Sequence, residues 1–149
     1  MNDQLNNPMI LRQIIMDHYE YPRNHELSLD PRYKSVHMAS ESCIDDITVQ
    51  TFIKDGKIDD VRFDGIACTI STASTSIMTE LLIGKTLEEA KTIIAQYEAM
   101  INMESYDEDM LEEAVAFHNV GRQANRIKCA TIGWKAILQL IDESGAKHD

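Results

Sequence analysis

Basic side chains are scarce. The chain of 149 residues carries 14 lysines and arginines against 25 aspartates and glutamates, a formal charge of −11. A field of that sign repels phosphate, which argues against nucleic acid and anionic membrane as partners. Cysteine is scarcer still, with three residues. That number is too small and odd for a secreted disulfide scaffold, so a reducing, cytoplasmic setting is expected. No apolar run approaches the ~20 residues a membrane helix needs. The start from Met1 to Pro8 is polar with no basic stretch, and Arg12 and Asp17 break the apolar segment behind it, so no signal peptide is expected. There is no C-x-x-C, no H-E-x-x-H, no phosphate-binding glycine loop and no Ser/His/Asp order, which removes the familiar finger, zincin, nucleotide and hydrolase patterns.

What is present is an ordinary globular balance, 44% apolar and 26% charged. The length suits one domain over 1–149, able to bury roughly 68–70% of its unfolded surface without staples. Leu11, Ile14, Ile15, His18 and Tyr19 recur at helical spacing behind Asn7-Pro8, a helix-start pair. A short strand is expected near 33–38. Alternation through Ile47, Val49 and Thr51, the turn pair Asp55-Gly56, and Val61 with Phe63 read as a β-hairpin. Ile58 is out of phase with its return strand, which suggests a bulge. From Thr69 the period changes to that of a helix, ending near Gly84, and Thr86-Leu87-Glu88-Glu89 is a capping box opening the next helix. Glu104, Asp107, Glu108, Asp109, Glu112 and Glu113 make the stretch that follows acidic, either a surface helix or a loose loop. A last helix is expected over 126–141, with Gly145 at its end and a frayed tail. Strands first and helices after point to an α+β fold, a small antiparallel sheet of about three strands packed against helices.

Chemistry concentrates at the cysteines. Cys43 precedes the first hairpin strand, Cys68 follows the second at a helix start, and Cys129 is expected in the first turn of the last helix. Exposed amides at a helix start favour a thiolate, which is both metal ligand and nucleophile. Spacing alone does not separate a shared metal site from three small buried hydrophobes. Asp45 adds a carboxylate two residues from Cys43. Among the histidines, His18 reads as a packed or capping residue, His118 lies in an uncertain loop, and His25, His37 and His148 read as surface residues.

At these positions the chain resembles the iron–sulfur assembly proteins of the SufU/IscU type. The likeness runs from about Leu11 to Leu140. Asp17-His18-Tyr19-Glu20-Tyr21-Pro22-Arg23-Asn24 is similar to the family's D-H-Y-x-x-P-R-N, and Cys43-Ile44-Asp45 falls where it has C-G-D. Phe63-Asp64-Gly65-Ile66-Ala67-Cys68-Thr69-Ile70-Ser71 resembles F-x-G-x-G-C-x-I-S, and Arg126-Ile127-Lys128-Cys129-Ala130-Thr131 resembles the third-cysteine region. The IscU-like branch has a histidine before that cysteine and an L-P-P-V-K upstream. This chain has Lys128, and Asn119-Val120-Gly121-Arg122-Gln123 in the second place. SufU-like members carry an insertion there, matched by an acidic insertion over about 101–122, so the SufU-like branch is favoured.

The resemblance implies a SufE/NifU-like fold and a zinc site of Cys43, Asp45, Cys68 and Cys129. It implies a sulfur acceptor that takes persulfide sulfur from a pyridoxal-phosphate (PLP) cysteine desulfurase and passes it to a downstream iron–sulfur scaffold, with Cys43 as acceptor. The alternative is a scaffold that holds iron or an iron–sulfur cluster on the same cysteines; a third reading is a module whose metal is purely structural. Three thiolates and a carboxylate make a four-coordinate set that zinc accepts. Ile44 stands where the family has glycine, and Ser40-Glu41-Ser42 where it has N-P before the cysteine. Asp46 stands beside Asp45. Alignment and strand alternation favour Asp45, whereas a one-residue slip favours Asp46.

Overall fold

The computed structural model of the chain describes residues 7–39 and 44–146. Helix α1 (Pro8–Glu20) starts where expected: Asn7 caps it by accepting the Met9 amide, and Pro8 fills a first-turn position whose N–H has no helical partner. Strands β1 (Lys34–Ala39), β2 (Asp46–Lys54) and β3 (Lys57–Ile66) form an antiparallel sheet in the order β1-β2-β3. Asp55 and Gly56 make the β2–β3 turn with φ of 55° and 76°, the positive pair that matches strand twist. The expected bulge is there. Phe52 pairs with Asp60 and Ile53 with Ile58, so Asp59 is the extra residue, and the slip brings Ile58 into the core.

Helix α2 (Thr69–Leu82) follows β3, and α3 (Leu87–Ile101) opens on the capping box of Thr86 and Glu89. Helix α5 (Ala124–Ala146) closes the fold and packs on β1, β2 and α2, while α2 also meets α1 and β3. Helix α2 is therefore enclosed on most sides. Ala73, Ile77, Met78, Leu81 and Leu82 are buried as their spacing predicts, but so are Ser71, Thr72, Ser74, Thr75, Ser76 and Thr79. Small hydroxyl side chains let neighbouring helices come close, and several bond across them. Trp134 Nε1 donates to Ser74 Oγ at 3.0 Å, and Ser74 Oγ and Tyr97 O–H both reach the Ala130 carbonyl, at 2.6 and 2.7 Å. Trp134 and Tyr97 stack at 3.8 Å between centroids and 4° between planes.

The acidic stretch is neither an all-polar surface helix nor a loose loop. It forms a short helix α4 (Glu108–Leu111) and two 3-10 turns, Glu112–Phe117 and Val120–Arg122. Leu111, Ala114, Val115, Phe117 and Val120 are buried. Glu112 and Glu113 lie between these anchors and the other four carboxylates precede them, which is why the segment reads as solvated from its charges alone.

Candidate metal centre

Sheet register builds the first half of the centre. Asp46 pairs with Ile66, so Asp45 sits just before β2, across from the residues that leave β3 for α2. Its side chain turns inward and is 1% exposed. Asp45 Oδ1 accepts the Cys68 N–H at 2.8 Å, and Asp45 Oδ2 lies 3.9 Å from Cys68 Sγ. Gly65 allows this approach. Its φ is 132°, and a Cβ there would stand 2.2 Å from the Asp46 carbonyl oxygen, so a side chain would push β3 off β2 beside Asp45. Asp46 points away, exposed, with Oδ1 2.5 Å from His37 Nε2.

Cys68 is the N-cap of α2. Its Sγ accepts the Ser71 N–H at 3.4 Å, so the sulfur faces the open amides of the first turn. Cys129 arrives from α5 and is buried. Here the helix boundary corrects the sequence reading: α5 begins at Ala124, not 126, so Cys129 is in its second turn, where backbone amides are already used within the helix. The earlier start carries no proline or acidic first-turn signal. What brings Cys129 to the centre is the packing of α5 on α2. Gly133, one turn on, lies so close to α2 that an added Cβ would meet Thr75 Oγ1 at 2.4 Å.

One ligand atom from each of Asp45, Cys68 and Cys129 lies within 4.8 Å of the other two. Bonds of ~2.3 Å to sulfur and ~2.0 Å to oxygen put tetrahedral zinc ligands ~3.5–3.8 Å apart, close to the 3.9 Å between Asp45 Oδ2 and Cys68 Sγ. Two sulfurs and a buried carboxylate form a donor set that favours a cation. The chemistry and spacing of these three residues therefore fit zinc. Cys43 lies outside the described residues. Its neighbour Ile44 is 67% exposed, as is Ile66 at 68%, so apolar side chains stand on both strand ends beside Asp45.

The histidines stand otherwise. His37 pairs with Asp46, His25 lies 3.4 Å from Asp64, and His118 Nδ1 is 3.1 Å from the Val115 carbonyl. His148 lies outside the described residues. His18 is buried, as a packed residue would be, but against Ser76 and two glutamates, a grouping with no local signal because its members are up to 95 residues apart.

Comparison with known proteins bears on the whole chain. The family model "NifU-like N terminal domain" matches residues 10–148. The chain belongs to the NifU-like N-terminal domain family. Relatives in that family include the zinc-dependent sulfurtransferase SufU of Bacillus subtilis, 35% identical over 138 residues that span 92% of each chain. They also include the iron–sulfur cluster assembly scaffold protein IscU of Streptococcus pyogenes, 35% identical over 137 residues, 91% of this chain and 85% of that one. Among solved structures, the protein named FiSufU from Fervidobacterium islandicum AW-1 superposes with a TM-score of 0.77. The two share 32% identity over 86% of this chain and 93% of that one. The α+β architecture with its three-stranded sheet is the family's fold. No helix among the described residues is long and apolar enough to cross a membrane.

Proposed function

We propose that this protein works in iron–sulfur cluster assembly as a zinc-dependent sulfur acceptor, with Cys43, Asp45, Cys68 and Cys129 as the zinc set. The observation that carries the reading is the convergence of Asp45, Cys68 and Cys129 from three separate elements onto one point. Cys43 is two residues from Asp45 in sequence, which makes it the natural fourth donor. Zinc, when bound, holds its cysteine ligands as thiolates. In the proposed transfer, the Cys43 thiolate attacks the outer sulfur of a persulfide on a PLP-dependent cysteine desulfurase. The new S–S bond forms on Cys43, the old one breaks, and its electron pair stays with the desulfurase thiolate. Cys43 leaves as a persulfide, ready for a downstream scaffold, and no external oxidant or reductant is consumed. Lys128, in place of the histidine seen before the third cysteine in IscU-like scaffolds, supports acceptance of sulfur over assembly of a cluster on these residues.

Metal analysis of protein purified without added metal tests the first half: one zinc per chain supports the reading, and iron with acid-labile sulfide would replace it with the scaffold reading. Desulfurase turnover with and without the protein tests the second half. Faster turnover, with the persulfide located on Cys43 by mass spectrometry, is expected. A persulfide mainly on Cys68 or Cys129 would overturn the assignment of the acceptor.

A further inference from the structure

A second gathering of ligating atoms shares no residue with the cysteine centre. Helix α1 presses His18 against α2, and the 3-10 turn at 112–117 closes over it, leaving the imidazole 1% exposed. His18 Nδ1 lies 2.7 Å from Ser76 Oγ, which also accepts the Arg23 N–H at 2.8 Å. The ring is held by this contact with Nε2 turned outward, 3.3 Å from Glu113 Oε1 and 3.8 Å from Glu80 Oε1. Two atoms each ~2.1 Å from one ion stand ~3.0–3.4 Å apart at octahedral to tetrahedral angles, so half-exposed carboxylates need only small shifts to share a metal with the imidazole.

Charge points the same way. Arg23 sits 2.6 Å from Asp17 and 3.6 Å from Glu80. With Glu112 on the wall of the adjoining cavity, four carboxylates stand near one arginine, a net negative field that favours a cation. Beside the cluster, Glu80, Glu112 and Glu113 line a cavity of about 90 Å³ with Ile77, Leu81 and Leu111 at its wall. That is space for about three waters at ~30 Å³ each, enough to fill the positions three protein ligands leave open.

We infer that His18 Nε2, Glu80 and Glu113 form a second metal site, for a divalent first-row transition ion completed by water in the adjoining cavity. One imidazole and two carboxylates suit Mn²⁺, Fe²⁺ or Zn²⁺ better than Ca²⁺ or Mg²⁺, which take oxygen ligands alone. The Ser76 contact to Nδ1 is the outer support that metal-bound histidines use to fix ring orientation. An ion here would fasten the 112–117 turn to α1 and α2. The inference does not rest on the sulfur-transfer reading.

The test uses Mn²⁺ as the probe, added to full-length protein carrying one zinc per chain, because Mn²⁺ competes poorly for thiolates and a single equivalent of zinc leaves the His18 site open. Loss of the free-ion EPR signal counts bound Mn²⁺, and paramagnetic broadening of the His18 ring signals locates it. One Mn²⁺ per chain is expected, with His18 broadened first. Binding should vanish in the Glu80→Gln/Glu113→Gln double variant and weaken about 10–100-fold in Ser76→Ala. It should persist in an Asp107→Asn/Asp109→Asn control. Both glutamates are half-exposed, and an unchanged zinc content and circular dichroism spectrum confirm that the double variant folds. No Mn²⁺ bound, or equal binding to the double variant, would overturn the inference and assign any uptake to the acidic surface at large.

Discussion

Asp45 and Asp46 are chemically identical neighbours with opposite fates. Asp45 is buried and accepts the Cys68 amide; Asp46 is exposed and meets His37. Asp45→Ala should lower zinc affinity about tenfold or more, since it removes the proposed oxygen ligand and the group that accepts the Cys68 amide, while Asp46→Ala should change stability by no more than ~0.5 kcal/mol. Competition with a chromophoric zinc chelator, run on both variants, measures this; the reverse order would move the oxygen ligand by one residue. The opposite directions of Asp45 and Asp46 were legible from strand alternation. The grouping around His18 was not: Asp17-His18-Tyr19 says nothing of Glu80 or Glu113, because only the crossing of α1 over α2 makes them neighbours.

At the scale of elements, the parts that could be read locally are those whose hydrogen bonds close within a few residues. The capping box is one. Glu89 accepts the Thr86 amide at 3.0 Å while its own amide donates to Thr86 Oγ1 at 3.1 Å. The Thr86 amide draws the Glu89 carboxyl below its ordinary 4.5. A depressed carboxylate stabilises the fold above its unfolded pKa and loses that effect as pH falls through the folded value. Glu89 should thus titrate below 4.5 by NMR, and Glu89→Gln should remove this part of the acid sensitivity of α3. The acidic stretch and the start of α5 resisted such reading because their shape comes from packing: Leu111 and Phe117 are held by α1, α2 and α3, and α5 has only weak start signals. Packing also sets the separation of Cys68 from Cys129. Gly133→Ala should force α5 away from Thr75, costing about 1–3 kcal/mol in urea denaturation and weakening zinc retention together. Loss of stability with full zinc affinity would show that α2–α5 spacing does not govern the centre.

For the whole molecule, the proposed zinc set joins positions 43, 45, 68 and 129, so one ion would close two long loops and tie the sheet to both α2 and α5. A contribution of a few kcal/mol shifts the Tm of a domain this size by roughly 2–4 °C per kcal/mol, so verified removal of zinc should lower Tm by several degrees. An unchanged melting curve would mean that the fold holds these residues without help. The net charge of −11 bears on partners more than on folding, since it favours docking surfaces that are basic.

The stacked pair at the back of α5 has a practical consequence. Trp134 is the chain's single tryptophan, and it lies five residues beyond Cys129 on the same helix. Its ring touches Tyr97, and its N–H is tied through Ser74 to the carbonyl of Ala130, the residue next to Cys129. The molecule thus carries its own optical gauge of the cysteine centre. A small displacement of α5 on metal release or partner docking alters the stack before it alters exposure to water. Emission intensity should therefore change on chelation with no red shift, and a red shift would signal that the core itself had opened.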